Sequence, residues 1–321
     1  MKKFIVNSIL LIFPIIVIFN IPKFTHYTFH TDIKKKINSL VEKSDESMII
    51  VGGDSRAERQ VIPYMLEERF NKESVNIGAT GAGIAVLYNA LEQHDLINPL
   101  HTLIISVSSV ELNDCVVDKW GRPQAYITYF STFENIKLFG IRYLNMMHER
   151  LILILKELFK IERNTVLDSS DSRLYNKGFL GVEGDMSDFD FGSVDIYSNT
   201  LKTPWYIDSD HNGVRKDVFI DIIKKLADTN MNIIIFQPPV SPGWLSLTKN
   251  TYIDSIELDH SKFLKNITSK YDNISFIDFY SNQNSTFHDS MFYNSIHYNY
   301  KGSEIFTDAL LDTIQVRKLI D

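Results

Sequence analysis

Cysteine is almost missing: one residue, Cys115, among 321 rules out an internal disulfide. The count is neutral on compartment, because a secreted chain without disulfides and a cytosolic chain with one thiol look alike by it. Positive charge is also in short supply. Lys+Arg 33 against Asp+Glu 40 leaves a formal net charge of −7, and no basic stripe interleaves with aromatics, so no nucleic-acid partner is expected. No Cys/His cluster has zinc spacing. Gly78-Ala79-Thr80-Gly81-Ala82-Gly83 fails as a dinucleotide loop, because Gly81-x-Gly83 would need a glycine where Val86 stands. Asp208 to Gly213 imitates the start of a calcium loop, but its twelfth position is Phe219 where the bidentate Glu belongs. The sequence therefore calls for no metal and no cofactor. Internal repeats and low-complexity tracts are absent as well.

What is present is 44% hydrophobic residues and 23% charged ones, enough for a sizeable core. The apolar share is uneven. Phe4 to Ile21 contains only Asn7, Ser8 and Asn20 as polar members and follows Lys2 and Lys3; as a helix it would span about 27 Å, close to a bilayer's hydrocarbon thickness. Small residues suited to a cleavage site are missing at its exit, so it reads as an uncleaved signal anchor over residues 1–22. Lys34-Lys35-Lys36 dilutes the charge asymmetry across it; the expectation is a cytoplasmic N-terminus and an extracytoplasmic body, with residues 23–47 as a polar stalk.

From residue 48 to 321 the grammar is strand, turn, helix, repeated. Met48 to Val51 is apolar and runs into Gly52-Gly53-Asp54-Ser55, with a helix-like stretch from Arg56. Ser74 to Ile77, Thr102 to Val107, Asn232 to Phe236 and Ile274 to Phe279 read as further strands, and Gly302 to Ile314 as a closing helix. Such alternation predicts a mostly parallel sheet covered on both faces, with the chemistry at the carboxyl ends of the strands. An irregular stretch, about 163–217, rich in Asp, Ser, Asn and Gly, reads as an insertion flanking the site.

Gly53-Asp54-Ser55 places a hydroxyl at a strand-to-helix turn, where backbone N–H groups can stabilise developing negative charge. A capping role for Ser55 is the plain alternative. Near the other end, Asn294-Ser295-Ile296-His297 sits just ahead of the last helix and supplies a candidate base.

In these blocks the chain resembles the SGNH (GDSL-like) hydrolase superfamily, in particular its membrane-anchored branch with the teichoic-acid D-alanyl transfer protein. The resemblance implies a flavodoxin-like three-layer α/β sandwich. It also implies Ser55 as nucleophile, with its own N–H and that of Gly81, in Asn76-Ile77-Gly78-Ala79-Thr80-Gly81, as oxyanion donors. Gln237-Pro238-Pro239-Val240 also looks like the anchored branch. Two departures stand out. The family's Gly-x-Asn-Asp block has no direct equivalent; Asn113 lies about three residues late, and Ser108 or Ser109 could serve in its place. The family's Asp three residues before the histidine is Asn294 here: either Asn294 orients His297 through its carbonyl in a weakened catalytic site, or Asp289 or Asp278 reaches the ring as an alternative acid. The expected activity is that of a serine esterase or O-acyltransferase on acyl esters of cell-envelope glycans or polymers, at the cell membrane. A membrane acyl-donor protein is a further candidate partner. The rival reading is a non-catalytic SGNH-like module that binds glycan or assists an envelope assembly complex.

Overall fold

Met48–Gly52 (β1) carries no charged side chain, and all five residues are buried, as a strand covered on both faces requires. In the computed structural model, residues 36, 46–80, 82–112, 175–176, 179–190, 214–282 and 287–320 are described. The chain divides into two units, Met1–Lys34 with Gly121–Ser169 and Lys35–Trp120 with Ser170–Asp321, and every described residue belongs to the second. The expected membrane segment and most of the expected insertion lie outside the described residues. Among those described, no helix is long and apolar enough to cross a membrane.

β1 leads through α1 (Ser55–Gln60) and α2 (Pro63–Phe70) to β2 (Glu73–Asn76), then α3 (Ile84–Gln93) and β3 (Thr102–Ser106). A 3₁₀ turn at Ser109–Leu112 follows, and Tyr175–Asn176 and Phe179–Leu180 pair as a small antiparallel ribbon, β4 and β5. The second half runs α4 (Val214–Ala227), β6 (Asn232–Gln237), α5 (Pro242–Thr248), α6 (Tyr252–Thr268) and β7 (Ile274–Asp278). It closes with β8 (Phe292–Asn294), β9 (His297–Tyr298) and α7 (Tyr300–Val316).

Five strands form one all-parallel sheet in the order β2-β1-β3-β6-β7. Counted within the sheet this is 2-1-3-4-5, the order of flavodoxin-type doubly wound sheets, with its switch point between β1 and β3. The expected α/β architecture with a parallel sheet is therefore present. Alternate strand residues serve opposite faces. Ile49, Val51, Ile104, Ile234 and Phe236 pack with Ala57, Leu66, Phe306 and Leu310 of α1, α2 and α7, whereas a Cβ on Gly52 would run into Leu87 of α3 at 2.5 Å. Helices thus cover both sides. Tyr298 is fully buried and stacks on Phe306 at 5.3 Å, which fixes the residue after His297 into the core under α7.

Candidate active site

At the switch point the turn after β1 lies against the end of β3. Between β1 and α1 the chain reverses at Gly53, whose φ of +129° few side chains tolerate and whose Cβ would lie 2.6 Å from the Ser106 carbonyl oxygen. Asp54 then caps α1, its Oδ1 accepting the Arg56 N–H at 2.8 Å. With Asp54 as the cap, Ser55 is the first helical residue and its hydroxyl is left for other work.

That hydroxyl meets His297. Ser55 Oγ and His297 Nε2 lie 2.8 Å apart, although 242 residues separate them in sequence. On the other side of the ring, His297 Nδ1 lies 3.1 Å from Asn294 Oδ1. The same Oδ1 accepts the backbone N–H groups of Ile296 at 3.1 Å and His297 at 3.0 Å. Donors converging on it identify that atom as the amide oxygen, so Nδ1 carries the ring proton and the Nε2 lone pair faces the serine. The tautomer is the one a general base needs.

The surroundings hold the ring neutral. Burial, then the guanidinium of Arg56, then that of Arg59 push the His297 pKa down to about 3. Tyr293 stacks on the imidazole at 5.5 Å and 15°. Arg59 donates to the Tyr293 hydroxyl, lies 5.7 Å from the centre of that ring, and reaches Thr80 Oγ1 at 3.4 Å.

Asp289 does not take the orienting place: its Oδ1 accepts the Gly243 N–H at 2.9 Å, at the start of α5. Asp278 is engaged elsewhere too, accepting from the Ser261 hydroxyl and from the Ser281 N–H. The reason is positional, since Asn294 ends β8 and pairs with His297 of β9, which sets its side chain against the ring, whereas both aspartates are spent on Gly243, Ser261 and Ser281. Gly81 and Asn113 lie outside the described residues. Ser108 donates to Asp54 Oδ2 at 3.2 Å and Ser109 to Glu257 Oε1 at 2.7 Å, so both hydroxyl protons are committed away from Ser55.

The loop after β2 is bound to α1 by side chains. Asn76 Nδ2 donates to the carbonyls of Ala57 at 2.7 Å and Val61 at 2.8 Å, and its Oδ1 accepts the Gly78 N–H at 2.9 Å. A Cβ on Gly78 would stand 2.7 Å from the Glu58 nitrogen and 2.8 Å from Ala57 Cβ, so only glycine fits this approach. Glu58 Oε2 accepts both the N–H of Thr80 at 3.0 Å and its hydroxyl at 2.8 Å. On the β3 side the balance differs. Neither carboxylate oxygen of Glu111 has a hydrogen bond of good geometry. Burial, then the nearby charge of Asp54, raise its pKa well above the usual range, against the pull of Arg56, Arg215 and the Asp54 N–H. Burial likewise raises Asp54, opposed mainly by Arg56. Among the described residues no group of His, Cys, Asp and Glu could hold a metal ion.

Sequence reasoning missed Arg56, Glu58 and Arg59, although positions one, three and four beyond a candidate helix-start serine were the place to look. Tyr293, beside Asn294, was equally near at hand. Lys36 gave no such signal.

No family model matches the chain, and no curated protein does. Among solved structures it is similar to one described as "a putative platelet activating factor from Streptococcus pneumonia", at 13% identity and a TM-score of 0.40 over 89% of this chain and 92% of that one. That level of agreement decides neither fold nor activity.

Proposed function

We propose that this chain is a serine esterase or O-acyltransferase of the SGNH type, tethered by an N-terminal membrane helix and acting outside the cytoplasm on acyl esters of envelope glycans or polymers. The carrying observation is the aligned set of Ser55 Oγ 2.8 Å from His297 Nε2, with Nδ1 held by Asn294. Ser55 attacks the acyl carbonyl as His297 accepts its proton. The N–H groups of Ser55 and Gly81 hold the oxyanion. Collapse expels the alcohol, which takes the proton back from His297, and leaves an acyl-serine. Water or a sugar hydroxyl then repeats the sequence in reverse, giving the acid or a new ester. The tether favours a substrate confined beside the membrane, which is why envelope material is named.

A fluorophosphonate probe tests this reading. Wild-type protein should be labelled, and Ser55→Ala and His297→Ala should not. Labelling that survives Ser55→Ala, or a wild type that takes no probe, would sink it. The second reading, a glycan-binding or assembly module without turnover, draws on Asn294 standing where a carboxylate would stabilise the imidazolium. It predicts a Ser55→Ala cell with no change in envelope acylation.

A further inference from the structure

Glu58 lies one turn beyond Ser55 on α1 with its side chain only 5% exposed, and a carboxylate that deep needs partners on both oxygens. Oε2 is occupied by Thr80, as described. Oε1 accepts from Lys36 Nζ at 3.0 Å, and the same ammonium donates to the Gly78 carbonyl at 2.6 Å. Lys36 is itself buried, its side chain 4% exposed. It comes from the segment read in the sequence as a stalk, 22 residues ahead of Glu58 and 42 ahead of Gly78.

The stretch from Gly78 to Thr80 is thus gripped at successive peptide groups. Asn76 takes the Gly78 N–H, Lys36 binds the Gly78 carbonyl, and Glu58 takes the Thr80 N–H. Because the Thr80 N–H is spent on Glu58, the loop offers a reacting carbonyl no donor at residue 80, and the next amide is that of residue 81. Lys36 also supplies the charge that lets Glu58 stay buried, and removing one member of such a pair leaves the other uncompensated.

We propose that Lys36 is a positioning residue for the catalytic centre, its ammonium fixing the Gly78–Thr80 stretch that leads into the oxyanion donor at Gly81 by bridging Glu58 and the Gly78 carbonyl. This rests on the serine esterase or acyltransferase reading above. It makes residues ahead of β1 part of the working site, so that a chain cut back to residue 47 loses a component of catalysis along with its spacer.

The test uses the full chain in detergent and has two readouts: the maximal rate and half-saturating concentration of fluorophosphonate labelling, and amide exchange over residues 76–82. Lys36→Met should lower the maximal labelling rate by about a hundredfold, the scale of an ångström-sized misplacement. The half-saturating probe concentration should stay unchanged, and exchange of the 76–82 amides should quicken while the β6 and β7 amides keep their protection. Lys36→Arg should restore most of both. Lys36→Met combined with Glu58→Gln, which leaves no buried unpaired charge and keeps an acceptor for Thr80, should fall in between; it carries the test if the single variant does not fold. Wild-type labelling and wild-type exchange in these variants overturn the positioning role alone. A wild type that takes no probe overturns the hydrolase reading, and the role of Lys36 with it.

Discussion

Ser55 and His297 come together from opposite ends of the chain, and the segments that carry them are secured by different means. Around Ser55 the fastening is ionic and closed: Glu58 is matched by Lys36, and Asn76 ties the following loop to the carbonyls of α1. Around His297 it is neutral. Gln60 Nε2 donates to the Ile296 carbonyl at 3.1 Å, the Ser241 N–H to the Ser295 carbonyl at 2.9 Å, and Asn294 Oδ1 accepts the N–H groups of Ile296 and His297. The ring is as well placed as the hydroxyl. Its electrostatics are another matter, since no carboxylate stands behind Nδ1, and burial, then two guanidinium groups, hold the pKa near 3. Position and basicity are therefore separable: neutral hydrogen bonds can fix an imidazole where it must be while leaving its protonated form uncompensated.

The largest effect is expected from breaking the closed side. Gly78→Ala puts a methyl 2.7 Å from the Glu58 nitrogen, a backbone atom that cannot give way without moving α1. Overpacking of this kind costs about 3 kcal/mol, so thermal unfolding should shift down by several degrees and probe labelling should be lost. If the variant melts and labels as wild type does, the tight approach of this loop to α1 is not a constraint.

Next comes the repair of the open side. Asn294→Asp keeps an oxygen for each N–H donor and adds the missing charge. In the worked serine-protease case the opposite exchange costs about 10⁴ in kcat; here about tenfold to a hundredfold acceleration of labelling is expected, because Arg56 and Arg59 remain in place. The His297 titration, followed by NMR, should move upward from about 3. The stability consequence has a definite sign. A histidine that titrates near 6.5 when unfolded and near 3 when folded lets the unfolded chain take up the proton first, so the folded state loses stability as pH falls through that window. Asn294→Asp should narrow the window from below. An unmoved titration would mean that burial and the two guanidinium groups, not the side chain at position 294, govern the ring.

The β3 side contributes a smaller effect of opposite sign. Glu111 is raised by burial and by Asp54, so it favours the folded state at low pH, and that advantage is lost as pH rises from 4.5 toward its folded value. Glu111→Gln should remove this penalty, raising the melting temperature by about 2–4 °C at pH 8 with little change at pH 4. An equal change at both pH values would show that the carboxyl is not the source.

Much of the frame was legible because it rests on local patterns. Uninterrupted apolar runs such as Met48 to Val51 mark buried parallel strands, and the glycine-rich turn with its following serine marks the switch point. His297 and Asn294 were findable because a family pattern keeps their three-residue spacing. What stayed hidden depends on contacts between residues far apart. Nothing near Lys36 distinguishes it from Lys34 and Lys35, and only the fold brings it to Glu58. That Asp289 stayed open beside Asn294 has the same cause, since both lie within reach in sequence and only the pairing of Asn294 with His297 across β8 and β9 shows which side chain meets the ring. That the hydroxyls of Ser108 and Ser109 turn to Asp54 and Glu257 is a contact no motif records.

The smallest effect separates the charge of Arg59 from its hydrogen bonds. Arg59→Gln removes one of the two cations that disfavour the imidazolium and keeps an amide able to reach Tyr293, whereas Tyr293→Phe removes the hydroxyl and keeps the ring stacked on His297. If charge is what matters, Arg59→Gln should raise the His297 titration by less than Asn294→Asp does. A partly exposed charge is worth about 0.5 kcal/mol, so labelling should quicken by about twofold. Tyr293→Phe should leave the titration where it is. Should the two variants shift His297 alike, the Arg59–Tyr293 pair acts by holding the ring in place, and the weak basicity of this centre belongs to burial and Arg56.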